Sequence, residues 1–231
     1  FAQRENRDQT MLELLSIDPA TGRSDVILTE KAAIEDYWIN LSDDYRFLKD
    51  HTMIWWSESD GYGHLYRRTR EGQVQLTQGD WVVTKLVGVN EESGDVFFTG
   101  TRDGALEQHV YRMNLSSPGE ATRLTELGFT HSASMDKDAQ TLLISRSSPS
   151  QPPQSYLADT DGNRLTWVQE NALDADHPYA PFLDSHVTPE FGTILTDDGT
   201  PLHWMMLKPD MEPGKKYPVF FYHYGGPHVQ V

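Results

Sequence analysis

Tyr224 is the residue of this chain whose type and setting best suit chemistry. It follows the apolar run Val219-Phe220-Phe221-Tyr222 and stands directly before Gly225-Gly226-Pro227. Consecutive apolar positions predict a strand buried on both faces. The two glycines admit backbone angles that other residues avoid and let a ligand come close to the main chain. A phenol at the end of a rigid sheet stands where α/β proteins build their sites. Acyl transfer needs a fixed donor where negative charge develops on the carbonyl oxygen, and a phenol supplies one without a proton transfer. An ordinary strand-end tyrosine fits the same residues.

The nucleophile of such chemistry is not in the sequence, which contains no Gly-x-Ser-x-Gly. The nine histidines include no His-Glu-x-x-His, so neither a metal site nor a cofactor is expected. The absence of cysteine rules out disulfides, thiolate nucleophiles and Cys-ligated zinc. His64 and His109 hold equivalent places in successive repeats and read as structural hydrogen-bonding residues. Glu91-Glu92 sits in the turn Asn90-Glu91-Glu92-Ser93-Gly94-Asp95, and Ser42-Asp43-Asp44-Tyr45-Arg46 reads first as a solvated loop before a strand. Asn40-Leu41-Ser42 and Asn114-Leu115-Ser116 fit the glycosylation pattern, which matters only in a eukaryotic secretory setting.

The formal charge of the 231 residues is −16, with a pI near 4.8. The longest runs of basic residues are the pairs Arg67-Arg68 and Lys215-Lys216, so nothing is clustered to neutralise phosphates. Nucleic acid is therefore excluded as a partner, and an anionic membrane surface is disfavoured. No apolar run approaches the length of a membrane span, and no signal peptide is visible. Phe1 is not an initiator and Val231 ends an apolar segment, so both ends read as cuts.

The elements that must position Tyr224 are β-type. Met11 to Ile17, the turn Asp18-Pro19-Ala20-Thr21-Gly22 and Asp25 to Leu28 form a hairpin pattern. Three longer units follow, each a strand, a charged loop, a strand, a turn and a strand. Their first apolar strands carry Ile54, Val96 and Leu142, at intervals of 42 and 46 residues. A period of this length with about four strands per unit is the signature of β-propeller blades. A β-sandwich has similar strand spacing, but the repeated order favours a propeller. The chain is therefore expected to be mostly β: about three and a half four-stranded blades of a partial β-propeller over residues 1–175, then a linker over 176–188. A hairpin of a different kind and the strand leading to Tyr224 occupy 189–231.

Three segments carry a family resemblance. Lys215 to Gln230 is similar to the start of the hydrolase domain of the prolyl oligopeptidase family, nearest its dipeptidyl peptidase IV branch. Trp56-Ser57-Glu58-Ser59-Asp60-Gly61-Tyr62-Gly63-His64-Leu65-Tyr66 resembles a blade motif of that branch, Ser-Glu-x-x-Gly-x-x-His-Leu-Tyr. Leu106 to Tyr111, with Arg123-Leu124-Thr125 and Thr130-His131-Ser132, is the third match. The resemblance implies a serine exopeptidase acting on peptides and releasing N-terminal dipeptides with Pro or Ala second. It implies that residues 189–231 open an α/β-hydrolase domain, that Tyr224 is the oxyanion-hole tyrosine, and that the loop holding Arg46 binds substrate. The family's Ser, Asp and His lie downstream of the matching strand, so the chain alone is expected to be inactive. A homodimer of the complete enzyme and a periplasmic or secreted location are further implications. The competing reading is a non-enzymatic propeller used for protein interaction.

Overall fold

The computed structural model describes residues 1–32 and 37–224. The chain divides into two compact units, Phe1–His177 and Pro178–Val231. The first is built of antiparallel sheets whose strands follow one another in chain order. Blade A contains β1 (Ala2–Glu5), β2 (Met11–Ile17) and β3 (Ser24–Lys31). Blade B contains β4 (Tyr45–Phe47), β5 (Met53–Ser57), β6 (His64–Arg68) and β7 (Gln73–Gln75). Blade C contains β8 (Val83–Asn90), β9 (Asp95–Gly100), β10 (His109–Asn114) and β11 (Ala121–Arg123). Blade D contains β12 (Thr130–Met135), β13 (Leu142–Ser148), β14 (Gln151–Ala158) and β15 (Arg164–Gln169).

Two of the turns are closed by residues suited to them. In the first hairpin Asp18 Oδ1 accepts the Ala20 amide at 2.9 Å, and Gly22 takes a φ of 72°. The β8–β9 turn is closed by Asn90 Oδ1, which accepts the Glu92 and Ser93 amides at 3.0 and 3.1 Å. Glu91-Glu92 is therefore a turn pair, as read from the sequence. Blade A has one strand more than the hairpin expected. Ala2–Glu5 is polar and carries no apolar signal, yet it pairs with Leu12 to Leu15 of β2.

The core is a series of seams, one between each pair of neighbouring sheets. Leu12, Leu14 and Leu28 of blade A pack on Met53 and Trp55 of blade B. Ile54 and Leu65 of blade B pack with Val96, Phe98 and Tyr111 of blade C. Phe97 and Val110 of blade C pack on Leu142, Ile144 and Tyr156 of blade D. Successive side chains of a strand point to opposite faces, so Phe97 and Phe98 serve different seams and both are fully buried. Gly162 shows how tightly the sheets approach: its φ is 85°, and a Cβ there would lie 2.5 Å from the carbonyl oxygen of Leu124.

The structure corrects the phase of the repeat. Ile54, Val96 and Leu142 all lie on the second strand of their sheets, as expected. Val96 and Leu142 face the preceding blade, whereas Ile54 faces the following one; Met53, one residue earlier, is the residue in phase. Met53-Ile54-Trp55-Trp56 is apolar throughout, so no polar residue marks which face is which.

In the second unit β16 (Glu190–Leu195) and β17 (Pro201–Met206) form a two-stranded hairpin. Ala180–Ser185, read as linker, winds into a 3₁₀ helix with proline in its first turn, where the ring's fixed φ fits and no amide partner is lost. Val219–Tyr222 is not the buried strand expected. These residues pair with no strand, and Phe220 and Phe221 are 91% and 83% exposed. An apolar run becomes a buried strand only where neighbouring strands and helices cover both faces, and none of the described elements does so.

Phe98→Ala is expected to cost about 3–5 kcal/mol through the cavity it opens between blades B and C. Val74→Ala, at a half-exposed site on β7, should stay within about 0.5 kcal/mol. Urea unfolding measures both, and equal midpoints would contradict the seam as described.

Candidate functional site

The first unit holds a cleft of about 310 Å³ lined by Phe1, Gln3, Leu41, Ser42, Asp43 and Tyr45. It is built where the link from β3 meets β4, the first strand of blade B. Gln3 Nε2 donates to the Ser42 carbonyl at 2.8 Å and fixes that link to β1. The two aromatic residues of its lining are backed by further rings: Phe1 stacks on Phe47 with ring centroids 4.2 Å apart, and Tyr45 meets Phe47 edge-on at 5.9 Å and Trp55 at 5.7 Å. An apolar wall with a carboxylate beside it suits a ligand that presents both hydrocarbon and a cationic amine.

The acidic pair in this segment divides its work. Asp44 Oδ1 accepts the Leu86 amide at 3.1 Å and so ties blade B to blade C. Burial is the largest effect on its carboxyl and holds its pKa above the ordinary value, against the Leu86 bond and the charge of Lys85. Asp43 is exposed and lines the cleft. The segment read as a solvated loop is thus half structural. The signal for this in the sequence is weak, since the hydrogen-bond partner lies 42 residues away.

Arg46 lies on β4 opposite Ile54 of β5, and its side chain is exposed. It belongs to the first unit, and Tyr224 belongs to the second. Tyr224 is 56% exposed; the Gly225-Gly226-Pro227 turn that follows it lies outside the described residues. Among the described residues no group of three or more His, Asp or Glu side chains is placed to hold a metal ion, and no helix is long and apolar enough to cross a membrane.

The two repeat histidines are structural. His64 Nδ1 lies 3.0 Å from Thr77 Oγ1, which also accepts the Leu65 amide at 3.0 Å, and His64 Nε2 lies 2.9 Å from the Gly79 carbonyl oxygen. A carbonyl only accepts, so Nε2 carries the proton and Nδ1 accepts from the threonine hydroxyl. His109 repeats the arrangement in blade C with Thr125 at 3.3 Å, and Thr125 Oγ1 accepts the Val110 amide at 3.1 Å. In blade D the corresponding place holds Gln154, whose side chain accepts from Arg146 Nε at 2.8 Å and donates to the Glu170 carbonyl. Each such side chain ties the third strand of a sheet to the chain that leaves its fourth.

Comparison with known proteins agrees with this architecture. A family model described as Dipeptidyl peptidase IV (DPP IV) N-terminal region matches residues 1–153. Dipeptidyl peptidase 8 of Homo sapiens is 29% identical over 238 residues, covering 85% of this chain and 26% of that protein. A probable dipeptidyl-aminopeptidase B of Aspergillus clavatus is 29% identical over 242 residues, covering 97% of this chain and 26% of its own length. The chain thus spans about a quarter of the length of these curated relatives. The crystal structure of Porphyromonas gingivalis dipeptidyl peptidase 4 superposes with a TM-score of 0.80 at 23% identity, over 94% of this chain and 30% of that one. At that identity the likeness is one of fold.

Arg46→Ala is expected to leave stability within about 0.5 kcal/mol, because an exposed side chain with little packing contributes little. Urea unfolding measures this. A loss above about 1.5 kcal/mol would make Arg46 part of the scaffold and remove it from the candidate site.

Proposed function

Because the chain belongs to the dipeptidyl peptidase IV N-terminal region family, we propose that it is part of a serine exopeptidase that releases Xaa-Pro or Xaa-Ala dipeptides from peptide N-termini. The observation that carries this reading is the family match over residues 1–153, which takes in blades A, B and C and the first half of blade D. The names of the relatives point to the same class of reaction.

In this reading residues 1–175 are the C-terminal half of a propeller that limits access and orients the substrate. The cleft beside Asp43 and the exposed Arg46 are its substrate-facing features. Residues 189–231 open the catalytic domain, and Tyr224 donates its hydroxyl to the oxyanion of the tetrahedral intermediate. The sequence offers no Gly-x-Ser-x-Gly, so nucleophile and base come from sequence beyond this chain, and the chain alone turns over no substrate. A periplasmic or secreted enzyme acting as a homodimer is the setting this reading implies.

The test is Tyr224→Phe in the complete enzyme. An oxyanion exists only along the reaction path, so loss of its donor lowers kcat and leaves KM nearly unchanged. The expected loss is about 10²–10³ in kcat on a Gly-Pro chromogenic peptide. The phenyl ring keeps its contacts, so an unchanged circular dichroism spectrum should accompany the loss. A folded variant with near-normal kcat removes Tyr224 from the chemistry.

A further inference from the structure

Two buried histidines meet at the seam between blades C and D. His109 of β10 and His131 of β12 are 0% and 1% exposed, and their ring centroids are 5.3 Å apart. The backbone is clasped at the same place: the His131 amide donates to the Gln108 carbonyl at 2.7 Å, and Gln108 Nε2 donates to the His131 carbonyl at 2.7 Å. His131 Nδ1 lies 3.3 Å from the Gln108 carbonyl oxygen, and its Nε2 is buried without a partner. The carbonyl can only accept, so Nδ1 carries the proton of the neutral ring and Nε2 is a bare lone pair. A second proton would place a charge at Nε2 with no acceptor to receive it.

The charged groups around the pair do not relieve this. Glu107, in the loop before β10, lies 3.1 Å from His109 Nε2, and Asp103 of that loop and Arg123 of β11 act on the same ring. From β13, Arg146 stands opposite His131 in the register and forms an ion pair with Glu126. From β8 and β9 the contacts are apolar, Gly88 against Met135 and Phe97 with Ala133, and Lys85 of β8 is exposed. Glu107 and the Gln108 and Phe129 carbonyls favour a charge on His131 as well, but burial and the neighbouring His109 ring outweigh them.

We propose that the His109–His131 pair is an acid-operated latch on the seam between blades C and D, shut while both rings are neutral and opened by a proton on His131. Burial, and then the neighbouring His109 ring, bring His131 from the ordinary 6.5 down to about 4. Burial also lowers His109, against the pull of Glu107. A histidine with a depressed pKa favours the closed seam fully above the value of the exposed ring. That preference is lost as pH falls from 6.5 towards 4. Opening parts β10 from β12 and exposes the cluster of Phe97, Val110 and Ala133.

Hydrogen exchange on the full chain at about pH 8 and about pH 5, corrected for the intrinsic pH dependence of exchange, reads the latch directly. The opening constant of the seam, reported by the amides of 108–110 and 131–133, should rise about 30-fold. The seam between blades A and B contains none of the buried histidines and should not respond. His131→Gln removes the titrating group and should make the response flat. Equal acceleration at both seams, no acceleration, or an unchanged response in a folded His131→Gln chain would each overturn the proposal. Should His131→Gln fail to fold, the comparison of the two seams in the unaltered chain decides.

Discussion

The stacking of one sheet face upon the next is the interaction on which everything else here depends. A four-stranded sheet whose successive side chains are both apolar cannot bury them alone, since one face always remains wet. Phe97 and Phe98 state the constraint in two adjacent residues: each is fully buried, and each needs a different neighbouring sheet. Apolar packing has no direction of its own. Direction comes from polar ties at the same seams, such as Asp44 to the Leu86 amide and Trp56 Nε1 to the Val83 carbonyl at 2.8 Å. The His64–Thr77 and His109–Thr125 pairs add a second kind of tie, within each sheet, that sets where the chain leaves for the next.

These ties explain why candidate ligand-binding residues sit where they do. The link from blade A to blade B carries the Asp44 tie at its end, and the residues beside it, Ser42 and Asp43 of the link and Tyr45 of β4, line the cleft. A rigid support for a binding loop is thus obtained from a residue of the loop itself. The buried histidines of blades C and D follow from the same economy of space. A ring large enough to span strand and loop in a crowded seam meets few polar groups, and among the described residues none hydrogen-bonds His131 Nε2.

Much of the first unit was legible in the sequence. The spacing of apolar runs separated by glycine turns located blades B, C and D, and the equivalence of His64 and His109 pointed to their structural role. What escaped has physical causes. Ala2–Glu5 forms a strand through pairing with β2 and not through its own composition. The phase of Ile54 was hidden because its neighbours are all apolar. Asp44 and His131 act through partners far along the chain or on another sheet, which a local pattern does not reveal. Tyr224 was singled out by its resemblance to a known family more than by its own surroundings, and the strand expected before it is exposed.

The central claim is that in blades B and C a buried histidine and the threonine just past the fourth strand hold the sheet to the path of the next. A double-mutant cycle on His64→Ala and Thr77→Val, followed by urea unfolding, measures that tie. The account predicts a coupling of about 1 kcal/mol or more between these two residues. It predicts additivity within about 0.5 kcal/mol for His64→Ala with Thr125→Val, which pairs the same residue types across blades. Additive effects for His64 and Thr77 would contradict it.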